Sequence, residues 1–126
     1  MKTNYGKLFD TTNGAHAARS ALYSEALDLE PGADGVTFWA RDTIGGELVP
    51  QYLPLGADGS DNANWITLDG TSSDPAALDY RVTLASDVLG RISINHGMKR
   101  VRLKFTPAAA TAGTIDADGF GTGVKA

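Results

Sequence analysis

Four of the eleven basic residues of this 126-residue chain fall within six positions: Lys99, Arg100, Arg102 and Lys104 of "INHGMKRVRLKF". The chain as a whole is acidic, with a formal net charge of −4. Clustered Lys and Arg are the side chains that grip carboxylates and phosphates. Side chains alternate across a strand, so the stretch divides into two faces. Val101, Leu103 and Phe105 fall on a core face, and Arg100, Arg102 and Lys104 on the opposite one. Two readings of the cationic face stay open: a solvated surface opposite acidic residues of neighbouring strands, or a docking face for an acidic protein. Nucleic acid is disfavoured. The net charge is negative, and the one aromatic of the run, Phe105, lies on the core side and offers bases no platform.

Other candidate chemistry is weaker. Asp58, Ser60, Asn62, Asn64 and Asp69 meet the ligand spacing of a calcium loop, but Ala63 replaces the required glycine, Asp69 the bidentate glutamate, and no helices flank the segment. A solvated loop is the expectation. His16 and His96 stand far apart and make no metal-binding pair. No nucleophile elbow supports a Ser–His–Asp triad, and "GFGTG" lacks the lysine and the strand–helix setting of a phosphate loop. Four aromatics, Trp39, Trp65, Tyr52 and Tyr80, could stack on sugar rings. Both tryptophans lie in expected strands, so core packing is the default. Trp39 alternates with Thr37 and Arg41 and is the more exposed candidate. No catalytic residue is assigned, and no cofactor or metal is expected.

These side chains must be held by strands. The chain has no cysteine, 15 glycines and five prolines, so packing and strand pairing carry its stability, with no disulfide or thiolate metal site. No segment keeps a helical apolar period, although "DPAALDY" could start a turn of helix with Asp74 as cap. Strand-like runs alternate with turn signals. "ALYSEALDLE" is expected to put Tyr23, Leu27 and Leu29 on one face. "VTFWARD" sets Val36, Phe38 and Ala40 against Thr37, Trp39 and Arg41. "ELVPQYLPL" is demoted to an edge strand or an irregular connection by Pro50 and Pro54. "WITLDG" is expected to be buried on both faces. "LDYRVTLA" sets Leu78, Tyr80, Val82 and Leu84 against Asp79, Arg81 and Thr83, and "RISIN" turns Ile92 and Ile94 inward. "TAGTIDADG" is a last strand. The expectation is an all-β antiparallel jelly roll or β-sandwich of about eight short strands. It divides into an irregular polar arm over 1–19, a sandwich over 20–119 and a flexible Gly-rich tail over 120–126. No stretch approaches the ~20 apolar residues of a membrane span, and the N-terminus does not read as a secretory signal.

The order of features resembles a known family. A polar arm leads into "ARSALYSEALDLEPGADG", "WITLDG" sits in mid-chain, and "GMKRVRLKFTPAAATAGTIDADG" comes near the end. That last stretch, a glycine, a basic pair, an alternating strand and the small-residue turn "TAGT", is similar to small virion proteins of tailed bacteriophages: capsid cement or decoration proteins with a jelly-roll or β-sandwich fold. The layout covers most of the chain, and the motif covers about twenty-five residues of it. The resemblance implies a non-enzymatic protein made in the host cytoplasm, placed on the capsid exterior and bridging subunits of the major capsid protein, as a dimer or trimer. The partner contacts expected on that basis are the arm, through Tyr5, Leu8 and Phe9, and the Arg100, Arg102 and Lys104 face. Neither nucleic acid nor membrane is an expected partner. The alternative is a β-sandwich adhesion module of a tail fibre or baseplate, binding glycan through exposed aromatics such as Trp39.

Overall fold

The computed structural model describes residues 4–5, 8–9, 14–29, 35–70, 78–94 and 99–122. Among them, eleven strands run in chain order: β1 (Asn4–Tyr5), β2 (Ala15–His16), β3 (Leu22–Tyr23), β4 (Leu27–Asp28), β5 (Gly35–Asp42), β6 (Gly46–Tyr52), β7 (Ile66–Thr67), β8 (Val82–Leu84), β9 (Gly90–Ile94), β10 (Arg100–Pro107) and β11 (Gly113–Thr122). They build two antiparallel sheets. The five-stranded sheet has the order β1–β11–β5–β9, with β2 also on β11. The six-stranded sheet has the order β3–β10–β6–β7, with β4 also on β10 and β8 also on β6. The fold is the all-β sandwich expected.

Strict alternation of apolar and polar side chains makes the long strands and fixes what they bury. In β5, Val36, Phe38 and Ala40 are sealed, while Trp39 and Arg41 face outward. In β10, Val101, Leu103 and Phe105 each have 0% exposure. From β9 come Ile92 and Ile94, and from β11 Ile115 and Ala117, so both sheets feed one shared core. Full burial of each large apolar side chain contributes about 1.5–3 kcal/mol. Leu84 is buried, with Leu78, Tyr80 and Val82 packed half-exposed beside it, as the alternation implied.

Three expectations change. Tyr23 does not share a face with Leu27 and Leu29. Tyr23 pairs with Lys104 and Leu27 with Val101, so four steps along one strand oppose three along the other. That extra residue is a bulge, which reverses the facing of everything on one side of it. Ser24 fills the gap: its N–H donates to the Leu103 carbonyl, and its Oγ accepts from the Leu103 N–H at 2.8 Å. Tyr23 is thereby turned outward while Leu27 stays in the core.

Secondly, β6 is central, despite Pro50. It pairs with β10 on one side and with β7 and β8 on the other. The Pro50 carbonyl accepts from Leu68 N–H, so the proline's polar edge faces away from β10. It lies between the stretch paired with β8 and the stretch paired with β7, where no ladder donor is required.

Thirdly, described residues from both the 1–19 and the 120–126 stretches pair with strands of the sandwich. Among the described residues of 1–19, the two-residue strands β1 and β2 both pair with β11, and Leu8 and Phe9 are 2% and 1% exposed. The Leu8 N–H donates to Ala117 and the Leu8 carbonyl accepts from Glu25, which threads the segment between the sheets' edges. Phe120–Thr122, expected in a flexible tail, continue β11 opposite Thr37, Val36 and Gly35. "WITLDG" is buried at Trp65 and Leu68 and half-buried between them. The Asp74 cap and His96 lie outside the described residues.

Candidate functional site

Each sheet turns a tryptophan–arginine pair outward, and the two pairs differ in burial. On the six-stranded sheet, Arg102 of β10 stands beside Gln51 of β6 and, through the bulge, near Tyr23 of β3. Its guanidinium lies 4.1 Å from the Tyr23 ring centroid and 4.3 Å from that of Trp65. Trp65 reaches it from a loop that is tied to itself. Asp58 accepts from both the N–H and the hydroxyl of Ser60, Asp61 accepts from Ala63 N–H, and Asn64 donates to the Asp58 carbonyl. The indole N–H of Trp65 donates to the Gly59 carbonyl at 2.9 Å. Through these bonds the acidic loop has a structural role, presenting Trp65 over the sheet. The two bonds from Ser60, backbone first, hold the Asp58 carboxyl below the ordinary aspartate pKa. Among the described residues no three metal-ligating side chains come together.

Arg102 is consequently 6% exposed, where strand alternation alone predicted a solvent-facing cation. Nε donates to Gln51 Oε1 at 2.8 Å, and Gln51 is itself held by a bond to Thr67. Nη2 is buried and has no hydrogen-bond partner. Burial pushes the Arg102 pKa below its ordinary value, opposed by the neighbouring Tyr23 oxygen. Arginine titrates so high that the group stays charged at neutral pH. Two aromatic faces supply the attraction that a carboxylate would otherwise give. The other members of the expected docking face are separated from it. Arg100 is exposed and pairs with Asp28 at 3.3 Å, and Lys104 is half-buried. The three cations therefore do not form one continuous open surface. Leu8 and Phe9, expected to touch a partner, are core residues. Tyr5 pairs with Gly119 through its backbone, and its side chain is outside the described residues.

A buried histidine–aspartate hydrogen bond escaped the sequence reading. His16 Nε2 lies 2.7 Å from Asp42 Oδ1, with the side chains 2% and 0% exposed. Asp42 Oδ2 accepts from the N–H groups of Ile44 and Gly45 and so closes the β5–β6 turn. Gly45 has φ +96°, and a Cβ there would lie 2.6 Å from the Leu84 carbonyl oxygen. The imidazole packs at 5.7 Å against Phe105. Sealed from solvent, the pair fastens the N-terminal segment to the sheet turn and cannot reach a substrate. Its partners are 26 residues apart, and no local spacing announces them.

The five-stranded sheet carries the open counterpart. Trp39 remains 36% exposed at the centre of the outer face, with Arg91 of β9 on one side and Asp118 of β11 on the other. The Arg91 guanidinium lies 5.6 Å from the ring centroid and helps fix the indole's orientation. Trp39, Arg41, Leu89, Asp116, Ala117 and Asp118 line an open depression of about 310 Å³. Leu89 and Val88, on the turn before β9, are 49% and 55% exposed. The arrangement offers a flat apolar ring, an aliphatic rim, and charged donors and acceptors around it. It holds no nucleophile–base pair.

No protein-family model matches the chain, and no curated protein matches it. Among solved structures it is similar to the PBSX exported protein XepA, with a TM-score of 0.63 and 16% identity, covering 95% of this chain and 37% of that one. The chain thus spans well under half the length of that neighbour. The N-terminal cellulose-binding domain of Cellulomonas fimi β-1,4-glucanase C aligns at a TM-score of 0.42 and 13% identity, covering 98% of this chain and 90% of that one. CBM29_1, a carbohydrate-binding module from Piromyces equi, aligns at 0.39 and 12%, covering 94% and 79%. The likeness to XepA is one of fold.

Proposed function

We propose that this chain is a non-enzymatic recognition module of a phage particle that binds glycan through the outer face of its five-stranded sheet. The observation that carries the reading is Trp39, a large aromatic left 36% exposed on a strand whose inward neighbours are fully sealed. A half-open indole beside an aliphatic rim suits the C–H face of a sugar ring, and the surrounding charges suit its hydroxyls. The phage setting is motivated by the layout similar to small virion proteins of tailed bacteriophages. Capsid cementing has less support, because Leu8, Phe9 and Arg102, three of the side chains it relied on, are buried. A glycan array probed with the wild-type chain and with Trp39→Ala tests the reading. Binding to at least one glycan class, lost in Trp39→Ala, is expected. Binding that the substitution leaves intact removes the face from the proposal. Electron microscopy of particles labelled with antibody to the chain tests the setting, where label at the tail or shell is expected.

A further inference from the structure

The proposed glycan face also carries information about which glycan. The charged residues around Trp39 are Arg91 on β9, Arg41 on β5, and Asp116 and Asp118 on β11, two of each sign. Arg91 is engaged with the indole. Asp118 has an interaction of its own within the chain. Arg41 and Asp116 are different. They sit directly opposite each other across the β5–β11 ladder and both border the depression. Directly opposed side chains are close enough to pair. Yet among the described residues neither side chain makes a hydrogen bond or ion pair. The face therefore presents one uncommitted donor group and one uncommitted acceptor group side by side, next to an apolar platform.

On the reading that this face binds glycan, we infer that its ligand is an uncharged saccharide, with a ring on Trp39 and neighbouring hydroxyls bridging Arg41 and Asp116. A sugar hydroxyl both donates and accepts, so one vicinal pair can accept from the guanidinium and donate to the carboxylate. An acidic saccharide meets Arg41 and Arg91 together with Asp116 and Asp118, so attraction and repulsion offset and the desolvation of its charge is left uncompensated. An amino sugar bearing free ammonium groups meets the same balance. The balanced charge of the face thus selects against both.

Calorimetric titration of the full chain with three sets of hexasaccharides tests the inference: neutral (cellohexaose, maltohexaose, mannohexaose), acidic (hexagalacturonate) and cationic (the glucosamine hexamer). At least one neutral hexamer is expected to bind at least about tenfold more tightly than the charged ones. Arg41→Gln and Asp116→Asn should each weaken that binding about tenfold, with unchanged thermal melting. Asp116→Asn should also strengthen binding of hexagalacturonate, a gain that a merely structural role would not produce. Tighter binding of a charged hexamer, wild-type affinity in both variants, or no gain for the acidic hexamer overturns the ligand class. If Trp39→Ala still abolishes binding in that case, the glycan-binding face itself survives. If no hexamer binds, or Trp39→Ala binds as well as wild type, both readings fall.

Discussion

The two sheets each pair a tryptophan with an arginine, and the pairs have opposite fates. Trp65 and Arg102 are 6% exposed each, with Tyr23 closing the stack on the far side. Trp39 and Arg91 stay at the surface, with a longer separation and no third ring among the described residues. The same residue chemistry thus serves structure on one sheet and is left available on the other. What separates them is a covering segment. The loop carrying Trp65 folds back over the six-stranded sheet, and no described segment does so over Trp39.

The largest difference should appear in stability. Trp65→Ala is expected to cost about 3–5 kcal/mol in denaturant unfolding, because it removes a buried ring and uncovers Arg102. Trp39→Ala should cost less than about 1 kcal/mol in the same measurement, as a surface change does. Equal costs would erase the distinction. Next comes the guanidinium. Arg102→Ala should destabilise by about 2–3 kcal/mol, since it opens a gap between two rings. Arg102→Met, which keeps the stem and removes a buried charge lacking a carboxylate partner, should stay within about 1 kcal/mol of wild type. A loss as large as that of the alanine variant would show that the charge, rather than the packing, holds the stack. On the open sheet, Arg91→Ala should cost about 0.5–1 kcal/mol, the size of an exposed cation–π contact. The smallest effect lies in the loop. The Asp58 pKa is lowered in the folded chain, so its contribution to loop stability is present above the ordinary aspartate pKa and is lost as pH falls through the lowered value. Ser60→Ala should raise the Asp58 pKa only part of the way toward the ordinary value in an NMR titration, because it removes the hydroxyl bond and keeps the backbone N–H bond, the larger cause of the lowering.

Much of the sandwich is legible as alternation. Val36, Phe38 and Ala40 against Trp39, and Val101, Leu103 and Phe105 against Lys104, read correctly because a strand's facing depends only on parity. Parity also explains the failure at Tyr23, since a single inserted residue inverts it and no glycine or proline marks the site. Pro50 misled for another reason. Its lack of a donor matters only if a partner strand stands opposite that donor, which depends on where β7 and β8 end. Leu8 and Phe9 form too short an apolar run to show a period, so their burial is visible only once β11 lies beside them. Trp39 was identifiable as the exposed aromatic from its polar neighbours. The burial of Arg102 was not, because its cover arrives from a loop nearly forty positions earlier in the chain. Arg41 and Asp116 are also far apart in sequence, and only the β5–β11 ladder sets them opposite each other.

Strand β11 sits in the middle of its sheet, between β5 and the short β1 and β2. A chain synthesised from its N-terminus must therefore carry Leu8, Phe9 and one edge of β5 without their partner until residues 113–122 leave the ribosome. Pairing that spans nearly the whole chain closes slowly, and an uncovered strand edge is sticky while it waits. Assembly of the face that bears Trp39 thus waits for β11. A truncation ahead of Gly113 would leave that tryptophan on a strand with β9 as its one remaining neighbour in the sheet.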